Sequence, residues 1–396
     1  MRDPRITALA RVLVEYSTGV QPGQLVRIAG DPVAMPLVEA VYEQVVKAGA
    51  HPVLRLNPGS CNDLFFEHAN DDQLEFVNPL LLEEVKTIDA SIGFWADTNT
   101  KSLSRVDPER QGVASAARKP MTKIFFERAA AGDLKWAGTQ YPTAASAQDA
   151  EMSLAQYEDF VFSAGHLGAP DPVAVWKEIS ARQQKVVDFL TGKKEIHFKT
   201  PAGTDLLVNV EGMTWINCDG HENFPDGEVF TGPNLGAADG GVNGVVKYSF
   251  PAVHHGREVH DIELTFERGR VVDAKASKGQ DFLLAMLDQD EGARNMGEIA
   301  VGTNYSITEY SKNTLFDEKI GGTFHAAVGA GYPETGNSNE SGLHWDMVCD
   351  LRPPGGSSPE EDGAQGPSGS GGTVTVDGEV MSQDGRFVFE GWPGRD

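Results

Sequence analysis

The sequence predicts an α/β protein with two domains. An N-terminal α/β domain precedes a largely antiparallel, β-rich (α+β) C-terminal domain. Three observations predict this fold class. A chain of 396 residues is long enough for two domains. In its first half, short apolar runs alternate with amphipathic stretches, which is typical of strand–helix–strand units around a parallel sheet. In its second half, alternating segments are joined by short glycine-containing turns, which indicates antiparallel hairpins.

The N-terminal domain is predicted to span residues 1–190. GQLVRIAG is typical of a buried strand, and the stretch from Met35 predicts a helix that stops near Gly49 and precedes a second strand. TIDASIGFWAD predicts another buried strand. Residues 145–192 are predicted to be mostly helical, and the clearest helix has Pro172 in its first turn. These elements together predict the parallel layer.

The C-terminal domain is predicted to span residues 191–396 and to carry the functional site. Four turn signals divide it into hairpins, at Pro201–Gly203, Arg268–Gly269, Asp377–Gly378 and Asp384–Gly385. The segment Arg352–Gly372 is rich in glycine, serine and proline and poor in apolar residues. We therefore expect residues 352–372 to form a disordered surface loop.

Composition excludes several classes of partner. The formal net charge is −25, from 58 acidic and 33 basic residues, so the surface should repel phosphate backbones and anionic lipid. We expect neither a nucleic acid nor a membrane partner. The three cysteines are far apart in the sequence, and no C-x-x-C motif occurs. No disulfide framework or thiolate zinc site is therefore indicated. The first twenty or so residues predict an amphipathic helix rather than a signal peptide, and the protein is expected to be cytoplasmic.

The segment GLHWDMV places two polar residues where a strand would bring them together. His344 and Asp346 are two residues apart, so in a strand both side chains point to one face, with Trp345 on the other. Such a pair can be a hydrogen-bonded surface pair, two members of a catalytic triad, or two ligands of one metal. The segment alone leaves these three possibilities open.

Three more titratable residues lie in stretches whose composition predicts burial. They are Glu228 in FPDGEVFTGP, Glu298 in MGEIAVGTN and His325 in GGTFHAAVGAG. Singly, each could be an edge carboxylate or a core histidine with a backbone partner. Taken together with the His–x–Asp pair, they form a mixture of carboxylates and imidazoles that suits a site for one or two divalent ions.

Four ordered blocks carry a resemblance to a known family: GEVFTGP, GEIAVGTN, DEKIGGTFHAAVGAGYPETG and GLHWDMV. They resemble the signature blocks of the M29 metallopeptidases, the aminopeptidase T-like family. The resemblance runs through most of residues 195–350. The N-terminal half is similar to the family only in its alternation of strands and helices and in its length. The insertion at 352–372 departs from the family pattern.

The resemblance implies a homodimeric aminopeptidase that hydrolyses peptides with a free N-terminus by a dinuclear metal-activated water. The expected cofactors are two divalent ions, Zn²⁺ or Co²⁺, with Mg²⁺ or Mn²⁺ as alternatives. By this resemblance, Glu298 is the bridging ligand and Tyr332 matches a family tyrosine beside the metals. The full predicted ligand set is Glu228, Glu298, His325, His344 and Asp346.

Two predictions concern catalytic groups beside the metals. Tyr332 lies near the start of the polar loop between the two histidines, where its hydroxyl could bind a developing oxyanion. Glu318, in DEKIGG, is a candidate for moving the proton, on its position alone. A surface ion pair between Glu318 and Lys319 is an equal alternative.

Two other classes of protein remain open. The same fold family includes a branch that resembles 2,5-dihydroxypyridine dioxygenase, whose single Fe(II) could be held by His325, His344 and Asp346. Glu228 and Glu298 would be superfluous in such a mononuclear site, which favours the peptidase. A non-enzymatic metal- or peptide-binding protein is the third possibility, and nothing in the sequence favours it.

Overall fold

The structure is a computed structural model that describes residues 3–254, 256–353, 371–390 and 392. Its chain divides into two compact units, Met1–Val175 with Gly220–Pro225, and Trp176–Asp219 with Asp226–Asp396. A division into independently folding domains at residue 190 stays a prediction. Most of the predicted loop, residues 354–370, lies outside the described residues. No helix among the described residues is long and apolar enough to cross a membrane.

The first unit is built on a parallel sheet. Its main strands are β1 Leu25–Gly30, β2 His51–Leu56, β3 Ala90–Trp95 and β4 Lys135–Gln140. They lie in the order β2-β1-β3-β4, and the short strand Asn223–Phe224 continues the sheet beside β4, with every pair parallel. The predicted parallel α/β layer is therefore present.

Helices connect these strands, as the sequence predicts. After β1 comes helix Met35–Lys47, and Gly49 follows it with φ +76°, a left-handed conformation that glycine adopts without a Cβ clash. The α-helices of the described chain up to residue 190 are α1 Pro4–Arg11, α2 Met35–Lys47, α3 Gly59–His68, α4 Asp71–Leu74, α5 Pro79–Thr87, α6 Pro108–Ala130, α7 Ala144–Asp149, α8 Leu154–Ala164 and α9 Pro172–Leu190.

The second unit is largely antiparallel, as predicted. Its remaining helices are α10 Gln280–Leu287 and α11 Thr314–Asp317. The later strands of the chain are β5 Glu195–Lys199, β6 Asp205–Asn209, β7 Ile216–Cys218, β8 Asn223–Phe224 (the short strand of the first unit), β9 Glu228–Thr231, β10 Val242–Lys247, β11 Ala252–His254, β12 Arg257–Val259, β13 Glu263–Glu267, β14 Arg270–Lys275, β15 Met296–Gly302, β16 Thr323–Gly329, β17 His344–Asp350, β18 Thr373–Val376, β19 Glu379–Gln383 and β20 Arg386–Phe387.

Two sheets of the second unit enclose its core. The larger has the order β14-β13-β10-β6-β5-β18-β19-β20, and the smaller has the order β17-β16-β15-β9-β7. Alternate residues of the smaller sheet, such as Phe324 and Ile299, point into a core shared with the larger sheet. There the ring of Phe324 stacks on that of Phe198, with centroids 4.3 Å apart. The other face of the smaller sheet is therefore free to carry polar groups.

Candidate metal centre

All five predicted ligands lie on that other face of the five-stranded sheet, which we call the acidic face. Alternation along each strand puts them there: Trp345 and Met347 enter the core, so His344 and Asp346 point the opposite way. Residues opposite each other in an antiparallel pair share a face. Asp346 pairs with Ala327, and Ala327 pairs in turn with Glu298. Trp345 thus packs behind His344 and Asp346, as the sequence predicts.

Small residues separate the polar ones on the acidic face. His325 lies opposite Ala300, Glu228 lies opposite Gly302, and His344 lies opposite Gly329. Alanine and glycine bring almost no side chain to these positions. The sheet therefore leaves room between the longer carboxylate and imidazole side chains that surround them.

The ligand atoms of the predicted set converge. His325 Nε2 lies 2.9 Å from Glu298 Oε1, 3.6 Å from Glu228 Oε2 and 3.8 Å from Asp346 Oδ1. His344 Nε2 lies 3.5 Å from Glu298 Oε2 and 3.4 Å from Asp346 Oδ1. The two oxygens of Glu298 therefore face different imidazoles.

Backbone carbonyls fix the orientation of both imidazoles. His325 Nδ1 donates to the Glu318 carbonyl oxygen at 3.1 Å, and His344 Nδ1 donates to the Ala330 carbonyl oxygen at 2.8 Å. A carbonyl can only accept, so each Nδ1 carries a proton. Each Nε2, the nitrogen that faces the carboxylates, is left available to bind a metal.

The carboxylates fit a divalent cation because two of their oxygens lack a donor. Glu228 Oε2 and Asp346 Oδ1 are buried, and no described residue gives either a hydrogen bond. Buried carboxylates without compensation cost several kcal/mol. Ligand atoms of Glu228, Glu298 and His325 lie within 4.8 Å of one another, and so do those of Glu298, His344 and Asp346. Oxygen and imidazole donors in these groups suit Zn²⁺ and similar ions.

The sequence model of the thermophilic metalloproteases (M29) matches residues 2–354. This chain belongs to the M29 family. The match confirms the family that the four blocks predict, and it extends through the N-terminal half, where the resemblance rested only on texture and length. Aminopeptidase 2 of Geobacillus stearothermophilus is 28% identical to this M29 chain over 355 residues, which cover 84% of each sequence.

Solved structures show the same fold. Wild-type AmpT from Thermus thermophilus aligns with a TM-score of 0.81 over 97% of this M29 chain and 99% of its own, at 24% sequence identity. A 2,5-dihydroxypyridine dioxygenase from Pseudomonas putida KT2440 aligns with a TM-score of 0.57 over 98% of each chain, at 12% identity. The predicted fold class is confirmed.

The electrostatics of the M29 site are dominated by its carboxylates. Burial acts to lower the pKa of His325, but hydrogen bonding to Glu298 and the nearby charges outweigh it and raise this pKa to about 10. Burial also acts to lower the pKa of His344, but the Asp346 carboxylate outweighs it and raises this pKa to about 10. Burial acts to raise the pKa of Asp346, yet the His344 imidazole holds it well below its usual range. Protons on these histidines take the place of cations when no ion is bound.

Sequence reasoning missed Asp226 at this site, and it missed that Lys319 is buried among the carboxylates. Lys319 is 0% exposed, and its ammonium contacts the carboxylates of Asp226, Glu228 and Glu318. Burial acts to lower the pKa of Lys319, but the Glu228 and Glu318 carboxylates raise it well above its ordinary value. The Glu318–Lys319 pair therefore exists, but it is buried and is not the surface pair considered above. A signal was present in the sequence: Asp226 is two residues before Glu228.

The two predicted catalytic groups lie beside the predicted ligands. Ligand atoms of Glu318, His325 and Asp346 lie within 4.8 Å of one another, and burial raises the pKa of Glu318. The ring of Tyr332 packs edge-on against the His344 ring, with centroids 5.1 Å apart. Tyr332 remains 39% exposed, so a molecule approaching the acidic face can reach it.

Proposed function

We propose that this chain is a metal-dependent aminopeptidase that holds two divalent ions on the acidic face and removes N-terminal residues from peptides. The class of enzyme, a metallo-aminopeptidase, is confirmed by the family match and by relatives named as aminopeptidases. The proposal adds the number of ions and the residues that hold and assist them. Zn²⁺ or Co²⁺ is the proposed metal, with Mg²⁺ or Mn²⁺ as alternatives.

Charge balance is the observation that carries the two-ion proposal. Five carboxylates meet at the site, those of Asp226, Glu228, Glu298, Glu318 and Asp346. Among the described contacts of these carboxylates, Lys319 supplies the permanent positive charge, and neutral imidazoles add none. Five negative charges and one positive charge leave four negative charges. Two divalent ions cancel this excess, whereas one ion leaves two buried charges uncompensated.

The ligand set divides naturally into two overlapping groups. Glu228 and His325 would hold one ion, His344 and Asp346 the other, and Glu298 would bridge them through its two oxygens. When bound, such a pair of ions supplies the Lewis acidity that activates a water molecule and polarises a scissile carbonyl. The backbone carbonyls that accept from each Nδ1 keep both imidazoles in the required tautomer.

Two residues beside the ligands have proposed roles in moving protons and stabilising charge. Glu318 takes the proton of the attacking water and passes it to the leaving amine, since its carboxylate lies within reach of the ligand atoms. Tyr332 donates a hydrogen bond from its hydroxyl to the oxyanion that forms at the carbonyl. Both act on the substrate rather than on the fold.

The same negative charge favours the substrate of an exopeptidase. A peptide's free α-amine carries a positive charge, which an acidic site attracts and an internal peptide bond does not offer. From the family resemblance, we also propose that the enzyme works as a homodimer. We further propose that it works in the cytoplasm. The native mass in solution tests the dimer.

The alternative is a mononuclear Fe(II) ring-cleaving dioxygenase. The fold likeness to 2,5-dihydroxypyridine dioxygenase and the triad His325, His344 and Asp346 favour it. It gives no role to Glu228 or Glu298, both of which are buried in the cluster.

Metal analysis of the purified protein, combined with a panel of aminoacyl substrates, tests the proposal. We expect two divalent ions per chain and release of the N-terminal amino acid. One iron per chain with cleavage of a dihydroxypyridine ring would overturn the proposal in favour of the dioxygenase. One ion with peptidase activity would overturn the two-ion mechanism alone.

A further inference from the structure

Lys319 is a buried cation at the acidic cluster, and the proposed chemistry gives it no step in the reaction. Its ammonium lies 3.4 Å from Glu228 Oε1 and 3.9 Å from Asp226 Oδ1, and it also donates to Glu318 Oε1. The side chain is fully buried. A lysine this deep, with three carboxylates around its ammonium, has lost the conformational freedom that exposed lysines keep.

The backbone around Lys319 is fixed on both sides. Its own N–H donates to the Phe316 carbonyl at 3.0 Å, and its carbonyl accepts from the Asn304 N–H at 3.0 Å. The Asn304 side chain donates in turn to the Asp226 carbonyl at 2.8 Å. One residue thus joins the segment of Lys319 to the segment of Asp226, so the ammonium and its acidic neighbours are held in register.

The corner that Lys319 enters has a second set of metal-ligand atoms. Ligand atoms of Cys218, Asp226 and Glu228 lie within 4.8 Å of one another. Burial raises the pKa of the Cys218 thiol well above its usual range, so an entering ion has to displace the thiol proton to solvent. The resulting thiolate and the two carboxylates form a donor set that Zn²⁺ or Co²⁺ accepts. The Lys319 ammonium is in contact with both carboxylates of this corner.

We propose that Lys319 is a built-in cation that fills the Cys218–Asp226–Glu228 corner, keeps metal out of it and thereby limits the site to two ions. It is a positioning residue: it holds Glu228 and Glu318 and does not contact substrate. The proposal rests on the two-ion function proposed above. Its physical basis is that an ammonium supplies one positive charge in the space that a third ion would need, and repels that ion.

The test compares cobalt binding by the wild type and by Lys319→Met, which keeps a long side chain but removes the charge. Each protein is stripped with a chelator and titrated with Co²⁺. We expect Lys319→Met to bind one more ion per chain than the wild type and to gain a thiolate-to-cobalt absorption band from Cys218. We also expect a lower melting temperature for the stripped variant than for the stripped wild type.

Two further variants make the result decisive. Lys319→Met combined with Asp226→Asn removes one negative charge together with the positive one, and should return both the cobalt count and the spectrum to those of the wild type. Lys278→Met removes an exposed lysine that pairs with Glu258 at 3.5 Å, and should bind cobalt as the wild type does.

The outcomes separate this proposal from the two-ion function. A folded Lys319→Met with the wild-type cobalt count and no new band overturns the role of Lys319. If Lys319→Met does not fold, Lys319→Gln is titrated in its place: one additional bound ion supports the proposal, and a folded Lys319→Gln with the wild-type count overturns it. A wild type that binds a single ion overturns the two-ion function, whereas the role of Lys319 is judged by the difference of one ion between variant and wild type.

Discussion

Both units of the molecule contain buried carboxylates, but they surround them differently. In the first unit, the Glu84 carboxylate on α5 meets two guanidinium groups, Arg27 of β1 at 3.6 Å and Arg55 of β2. One negative charge there faces two positive charges. In the second unit, five carboxylates lie at the metal centre, and the Lys319 ammonium contacts three of them.

The difference separates structural charge from functional charge. A buried ion pair compensated by neighbouring side chains can hold two strands and a helix together without any ligand. A buried cluster whose charges the chain itself does not cancel requires cations or protons from solution. Such imbalance in a fixed site is a physical sign of function. Four experiments test whether the two clusters really differ in this way.

Glu298→Ala should give the largest effect, because Glu298 faces both histidines of the unbalanced cluster. We expect the loss of at least one ion and a fall in kcat/KM of more than about a hundredfold. Even the mutation of a residue that only hydrogen-bonds to a metal ligand lowers metal affinity or activity by about ten- to a hundredfold. The fold should persist. Metal content, kcat/KM and circular dichroism are the measurements. Full metal occupancy with wild-type turnover would remove Glu298 from the ligand set.

Tyr332→Phe tests an uncharged neighbour of the same cluster. If the hydroxyl binds the oxyanion, its hydrogen bond matters only in the transition state, and kcat should fall by about ten- to a thousandfold. KM and metal content should stay the same, because the ring still packs against His344. A simultaneous loss of metal would make Tyr332 a ligand, and an unchanged kcat would end its catalytic role.

Glu84→Gln tests the first unit's cluster, in which arginine side chains compensate the carboxylate. The change leaves Arg27 and Arg55 without their carboxylate, and Arg27 is mostly buried, so we expect a loss of up to about 3 kcal/mol in the free energy of unfolding. Metal content and kcat should not change. Urea denaturation of the metal-loaded enzyme measures the first quantity. Loss of metal in this variant would show that the two clusters are not independent.

The pH dependence of stability tests the unbalanced cluster without mutation. In the chelated protein, the pKa of His325 and that of His344 are raised from 6.5 to about 10 by the surrounding carboxylates. A raised pKa gives stability that is complete below pH 6.5 and is lost as the pH rises towards 10. The melting temperature of the chelated protein should fall across this window. Metal-loaded protein is the control and should keep its melting temperature, since bound ions replace the protons; parallel curves would contradict the assignment.

Local chemistry made much of the fold predictable. The hairpin turn at Pro201–Gly203 joins β5 to β6, and the turn at Arg268–Gly269 joins β13 to β14, as expected from their residues. The end of α2 near Gly49 was predictable as well, because few residues other than glycine adopt the left-handed backbone conformation found there. Such signals depend on neighbouring residues only, so they can be found in the sequence alone.

The candidate site was predictable in its residue types but not in its full membership. The spacing of His344 and Asp346 sends both to one face of a strand, and this follows from the period of two in β structure. A surface pair of Glu318 and Lys319 was one of two equal alternatives, because nothing in DEKIGG indicates that Lys319 is buried. Its depth depends on Asp226 and Asn304, which are far from it in the sequence.

The sequence by itself determined the family, the α/β and antiparallel texture, and the set of carboxylates and imidazoles, because these depend on residue identity, period and spacing. The tertiary structure decided which atoms face one another. Strand register sets Asp346 across from Ala327 and Glu298 beyond it, and the Glu318 carbonyl selects the His325 tautomer. It also decided the charge of the site, since only the folded chain brings the Lys319 ammonium among its carboxylates. Burial and electrostatic compensation depend on contacts between segments that are far apart in the sequence, so no local sequence pattern predicts them.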